Sequence, residues 1–436
     1  MKSKLHLLLL FLFVSPLLLA QAPSQPLAPG NPASVGISPD RLARLDQLIQ
    51  LYVDKNWVPG GVFLVARQGK IVYHKSFGHR STNNKKPYEN DNIFRIASMT
   101  KAVTTVSIMQ LYEQGKLGLD DPVSRFIPAY KEMQVLDTFN EVDSSYTTVP
   151  AENPITIRQL LTHTSGITYG PFNPGNIGAV YHKHGMSAVG LSHDEWTTEQ
   201  FITNLANVPL AFQPGEKYLY GLNMDVLGHI VEVASGMSLS TYFQKNIFDP
   251  LGMEDTFFYV PKRKQSRLVP VYTYDQEGAL IMAENNGSGL GLEYPTSPDR
   301  PHYAGGGGLS STAEDYAKFI QALVNDGAYN GHRLLGRKTI EVMSSDQLIR
   351  LNEEGKGFSK APGVTYGLGF ALLTDQGNGH NSKSPGTYEW GGYFNTKFFI
   401  DPEEDLIFVG MTQMVPFYHQ EFWERVYAVT YAAIDD

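Results

Sequence analysis

The stretch FRIASMTKAVTTVSIMQLYEQGKL, Phe94 to Leu117, combines a serine, a lysine three residues on and a long apolar run. From Met99 to Gln114 it reads as a helix that is apolar on most sides, through Ala102, Val103, Val106, Ile108, Met109 and Leu111, with Gly115 as its C-terminal stop. A helix of that kind belongs at the centre of a folded domain. Residues three apart share a helix face, so the Ser98 hydroxyl and the Lys101 amine can come within hydrogen-bonding distance at the first turn. Burial and the positive end of the helix dipole both disfavour a charged amine, and a neutral amine can take a serine proton. The unpaired Ser98 N–H at the same helix end is available to an oxyanion. Serine is also a common helix-start residue, so the spacing by itself equally fits a structural role. Two features favour chemistry: this is the sole S-x-x-K of the chain, and Lys101 is a charge in an otherwise apolar helix. No G-x-S-x-G occurs, so the commonest other serine-hydrolase signature is missing.

Outward from this helix, GGVFLVARQGKIVYHKSFG gives two β-branched and aromatic runs, Val62 to Ala66 and Ile71 to Phe77, around the turn residues Gln68 and Gly69. It reads as a β-hairpin. Before it, SPDRLARLDQLIQLYVDKN sets Leu42, Leu45, Leu48, Ile49 and Tyr52 at helical spacing behind Ser38 and Asp40. Near the C-terminus, GGGGLSSTAEDYAKFIQALVN predicts a helix capped near Ser311 or Thr312, TKFFIDPEEDLIFVGMTQM two strands about a turn, and HQEFWERVYAVTYAAI a last helix. Between residues 116 and 300, short helical patterns alternate with long Gly, Asn and Pro loops and read as a mostly helical insertion. The expected class is α/β (α+β): a central antiparallel sheet built from N- and C-terminal strands, flanked by helices. Residues 38–115 and 301–436 would form that domain and 116–300 the inserted one, with the site in the cleft between them under loops 168–194 and 285–300.

With 436 residues, 42% apolar and 18% charged, the chain can bury a large core, and a net charge of −9 argues against nucleic acid as a partner. Lys2 and Lys4 ahead of the apolar run LLLLFLFVSPLLLA, then small residues at Ala20 and Ala22, read as a signal peptide over 1–22. The run is shorter than the roughly 20 residues of a spanning helix, so no stable membrane span is expected after cleavage, and the protein should be periplasmic or secreted. The Pro- and Ala-rich stretch 23–37 reads as a linker. With no cysteine there is no disulfide and no thiolate ligand.

Four further segments decide between the two readings of Ser98. ITIRQLLTHTSGI, FQPGEKYLYGLNMDVLGHIVEVASG, GGGGLSSTAEDYAKF and YEWGGYFNTKFFIDPEE follow the S-x-x-K in order. Together they resemble the serine β-lactamase-related superfamily, in particular class C β-lactamases and family VIII carboxylesterases, which share the penicillin-binding-protein fold. The likeness runs from about Pro39 to the C-terminus. It implies that Ser98 is the acylated nucleophile, Lys101 its base, and Tyr220 the phenol that relays the proton to the leaving group. An ordinary phenol titrates near ~10, so that role asks for cationic help from Lys101. Where K-T-G is usual the chain has Trp390, Gly391 and Gly392, the W-G-G form frequent in the carboxylesterase branch. Tryptophan supplies an apolar wall and one N–H in place of a cation, and Leu222 stands where asparagine would donate to an amide. Both changes favour neutral esters over anionic β-lactams. The glycines allow close approach, and the Tyr393 N–H would complete the oxyanion hole with that of Ser98. Gly221 departs from the usual serine.

Other candidates weigh less. His182 and His184 form an H-x-H without a third ligand, and a solvated loop is expected there rather than metal. His163 reads as a hydrogen-bonded core residue. The run Gly305 to Gly308 lacks the lysine of a phosphate loop, and close packing beside the nucleophile helix explains it better. The resulting expectation is an exported serine hydrolase of short-chain carboxylic esters with no cofactor and no metal, its partner a small-molecule ester or amide. A β-lactamase or D-amino-acid peptidase is the enzymatic alternative, and a binding or sensor protein that acylates without turnover the non-enzymatic one. Oligomeric state is left open.

Overall fold

The computed structural model describes residues 25–81, 85–173, 175–186, 191, 196–284, 292–296 and 302–436, so the leader read over 1–22 lies outside the described residues. Seven strands carry the central sheet: β1 Gly60–Arg67, β2 Lys70–Ser81, β3 Val364–Tyr366, β4 Ala371–Leu373, β5 Tyr388–Gly392, β6 Thr396–Asp401 and β7 Leu406–Met411. Their spatial order is β2-β1-β7-β6-β5-β4-β3, all antiparallel, with short pieces at Ala28–Pro29 and Lys86–Pro87 added to β2. The first and last strands of the chain are therefore central neighbours, with Val65 opposite Phe408. Gln68 and Gly69 join β1 to β2 with φ of 50° and 70°, the consecutive positive values that a tight hairpin turn requires.

Every residue of β1 is buried, because both faces of the sheet are covered. Phe63 and Val65 point to one side, with Phe399, Phe408 and two helices, α1 Arg44–Asp54 and the C-terminal helix Glu421–Tyr431. Val62, Leu64 and Ala66 point to the other, with Phe398, Ile400 and Val409. On that second side lie α2 Thr100–Glu113, α3 Asn223–Ser235 and α4 Ala313–Val324. Thr312 caps α4 by accepting the Asp315 N–H at 3.2 Å. All residues of α2 from Thr100 to Leu111 are buried, as its all-round apolar pattern demands.

The segment 116–300 holds α3 and several shorter helices. It also holds two hairpins absent from the sequence reading, Gln134–Phe139 with Tyr146–Pro150 and Tyr272–Tyr274 with Leu280–Met282. Neither shows a clear apolar alternation, because nearly all of their residues are half-exposed or exposed and no face is continuously buried. The segment shares a continuous apolar core with the sheet, in which Leu161, Ile202 and Leu227 join Val62 and Leu64. From residue 25 on, the stretch read as a linker over 23–37 is held against the domain. Asn31 caps a turn at Pro32–Val35, and Val35 and Ile37 are 6% and 1% exposed, tied into the core behind the sheet.

Candidate active site

Between Asn92 and Leu111 every residue is buried except Ser98. Ala97 has a φ of +41°, a conformation that costs a residue with a Cβ on the order of 1–3 kcal/mol. That strained residue opens a 3-10 turn, Ala97–Met99, ahead of α2, and lifts the Ser98 side chain out of the core. Lys101 is fully buried one turn on. Its Nζ lies 3.2 Å from Ser98 Oγ and 3.2 Å from the Tyr169 hydroxyl, and donates to the Gly306 carbonyl at 2.5 Å. These three contacts fix the amine beside the Ser98 hydroxyl, within reach of its proton.

Behind the same glycine stands Asp225, on the first turn of α3. One of its oxygens accepts the Gly306 N–H at 3.0 Å, and the other is buried without a hydrogen-bond partner among the described residues. Burial pushes its carboxyl up to about 6, against the pull of Lys101 and of the Gly306 N–H. The glycine run thus fits between the two helices: Thr104 donates to the Gly305 carbonyl at 2.7 Å, and a Cβ on Gly305 would sit 2.5 Å from the Met224 carbonyl.

Tyr220 is brought to Lys101 by its ring rather than its hydroxyl. The ring centroid lies 4.8 Å from Nζ, and the hydroxyl has no hydrogen-bond partner among the described residues. The hydroxyl contact expected of it falls to Tyr169, whose phenol burial holds well above the ordinary value, with Asp225 adding to the rise. Tyr169 is therefore a neutral phenol, able to give a proton. Gly221 is glycine because the backbone at Ile167 and Thr168 occupies the space of a side chain. His163 is the core residue expected: its Nδ1 accepts from Asn223 Nδ2 at 2.9 Å and from the Gly221 N–H at 3.4 Å, and burial keeps it neutral.

Trp390, Gly391 and Gly392 form the end of β5 beside Ser98. A Cβ on Gly392 would clash with the Ile96 carbonyl, so glycine is what lets this strand reach the nucleophile turn, with Tyr393 next along the chain. Ser98, Tyr169, Tyr220, Trp390, Phe358 and Tyr393 line a cleft of about 590 Å³. Leu222 does not join them. It is fully buried in the core at the start of α3, so its expected contact with substrate is corrected to packing. His182 closes a helix, Asn176–Lys183, rather than a loop, and the following His184 shares a 2.7 Å hydrogen bond with Tyr146. No group of three or more metal-ligating side chains occurs among the described residues. Tyr169 and Asp225 were not singled out from the sequence, and Gly306 was read only as part of a glycine run packed beside the nucleophile helix. Asp225 carries the signal that marked Lys101, a charge in an apolar helix.

A family model described as Beta-lactamase matches residues 45–428. Lovastatin esterase of Penicillium rubens is 31% identical over 85% of this chain and 92% of its own. Esterase EstB of Burkholderia gladioli is 28% identical over 82% of this chain and 87% of its own. Among solved structures, EstCE1, described as a hydrolase with promiscuous acyltransferase activity, superimposes with a TM-score of 0.75 at 27% identity, over 90% of this chain and 99% of that one.

Proposed function

The chain belongs to the Beta-lactamase family, and from that premise we propose that it hydrolyses short-chain carboxylic esters through an acyl-enzyme on Ser98. The observation that carries this reading is the pairing of the one partly exposed residue in a buried segment with a buried amine, Ser98 Oγ 3.2 Å from Lys101 Nζ. As Oγ attacks the ester carbonyl, its proton passes to Lys101 and the carbonyl oxygen becomes an oxyanion facing the N–H groups of Ser98 and Tyr393. Collapse breaks the bond to the alcohol oxygen, which leaves with a proton delivered from Lys101 by way of Tyr169 or Tyr220. Water then attacks the acyl-enzyme, gives its proton to the same relay, and releases the acid with Ser98 restored. The aromatic cleft and the esterases among its relatives support an ester substrate.

Wild type should release nitrophenol steadily from 4-nitrophenyl acetate and butyrate, and Ser98→Ala should lose about a thousandfold or more of that rate. A fluorophosphonate should add its mass to Ser98. Equal release by both proteins would overturn the reading. Transfer of the acyl group to an alcohol in place of water is a second outcome, favoured by the description of EstCE1; ester products formed in the presence of an added alcohol would reveal it. Export, which the pattern of residues 1–22 supports, is tested by fractionation and by the mass of the mature N-terminus.

A further inference from the structure

The third motif of this chain lacks a lysine, yet the cleft does not lack one. Lys397 lies on β6 directly opposite Gly391 of β5, and its side chain crosses β5 over that glycine. A Cβ on Gly391 would stand 2.7 Å from Lys397 Cδ and 2.9 Å from its Nζ, so any other residue at 391 would displace the lysine. The crossing leads to the free edge of β5. β4 pairs with β5 only at Ala371–Glu389 and Leu372–Tyr388, which leaves the W-G-G segment unpaired on that side and open to the cleft. Lys397 lines the cleft together with Ser98, Trp390 and Gly391.

Its charge is not matched locally. Glu389, the other charged residue of the lining, is held at 2.5 Å by Lys383, and Lys397 itself makes no hydrogen bond or salt bridge among the described residues. The three groups leave one net positive charge at the rim. Burial lowers the Lys397 amine from the ordinary lysine value, with Glu389 opposing this and Lys383 adding to it, and an anion brought beside it would act in the same sense as Glu389, favouring the charged form. Because the proposed mechanism delivers the leaving-group proton from around Lys101, the β5 wall is assigned to the acyl part of the substrate.

We propose that Lys397 anchors a carboxylate on the acyl part, so that the cleft is built for half-esters of dicarboxylic acids. This rests on the ester-hydrolase reading and sharpens it: the cation absent from the motif is supplied from the neighbouring strand, and Gly391 is the gap through which it passes. The neutral-ester preference expected from W-G-G and Leu222 is thereby replaced.

The test compares mono-4-nitrophenyl adipate with its neutral counterpart 4-nitrophenyl hexanoate, after subtraction of the uncatalysed rate. The adipate-to-hexanoate ratio of kcat/KM should fall about tenfold in Lys397→Met, mostly through KM, the worth of one charge-assisted hydrogen bond of modest strength. Lys397→Arg should retain most of the ratio. Gly391→Ala, which keeps the lysine but blocks its crossing, should lower the ratio as Lys397→Met does, and it carries the test should that variant not fold. A ratio equal in wild type and both variants would overturn the proposal. Failure of the hydrolase reading looks different: wild type would turn over neither ester faster than Ser98→Ala. In that event calorimetric titration of monomethyl adipate into Ser98→Ala, with and without Lys397→Met, decides, with about tenfold weaker binding expected without the lysine and equal binding overturning the anchor.

Discussion

Lys101 and Asp225 meet in one dry layer on either side of Gly306, whose carbonyl accepts from the amine and whose N–H donates to the carboxylate. The reaction proposed for Ser98 puts a proton on Lys101 in the transition state, and an ionised Asp225 stabilises that new charge. Lys101 and the buried phenols of Tyr169 and Tyr130 are the groups that sense its charge. Because burial raises this carboxyl to about 6, it is increasingly protonated below that pH and the stabilisation is lost. The kcat/KM of butyrate ester hydrolysis should therefore fall as pH drops through about 6. In Asp225→Asn that acid limb should vanish while the plateau falls about tenfold, the worth of roughly one pKa unit of charge interaction; a limb that persists in the variant would assign it to another group. At this scale the sequence was legible wherever a residue broke a local pattern. Lys101 breaks an apolar helix and was found, and Asp225 breaks another in NMDVLGHIVEV and could have been. Tyr169 is one tyrosine among 24, and Lys397 reaches the cleft only through a strand register that composition does not encode.

Among elements, the join between α2 and α3 sets the site, because Ser98 and Lys101 enter with one helix and Asp225 with the other. The glycine run is the spacer: Gly305 sits 3.1 Å from Gly228 Cα as measured from an added Cβ, and 2.5 Å from the Met224 carbonyl. Gly305→Ala should force the helices apart, costing about 1–3 kcal/mol in urea unfolding and lowering kcat by a larger factor than KM, since the Gly306 carbonyl that holds Lys101 must shift. Unchanged stability and rate would show the contact to be slack. Elements with strong periodicity or turn chemistry were readable: the Gln68-Gly69 hairpin, the all-apolar α2, the Thr312 cap. β3 and β4 were not, since three residues each give no period to detect, and β5 hides behind glycines that weaken any strand reading.

At the scale of the whole molecule, the last strand inserts between the first hairpin and the rest of the sheet, so neither end of the chain completes the fold alone. That union was legible, because the strong strand patterns lie near the two ends. The single core beneath the sheet was not, since periodicity marks which face is apolar and not what it meets. The consequence is cooperativity. Trp423 lies behind the sheet among Phe408 and Phe422, whereas Trp196 packs on the core shared by the sheet and the segment 116–300. With the other tryptophans replaced by phenylalanine, each reports one side of the molecule during urea unfolding. One shared core above a sheet buried on both faces makes their midpoints coincide. Phe408→Ala, which empties a fully buried site in β7 on the Trp423 side, should cost about 3–5 kcal/mol and move both midpoints together. A shift at Trp423 alone would mean that the helical segment unfolds as a body of its own, and that the cleft between the two is a hinge rather than a fixed site.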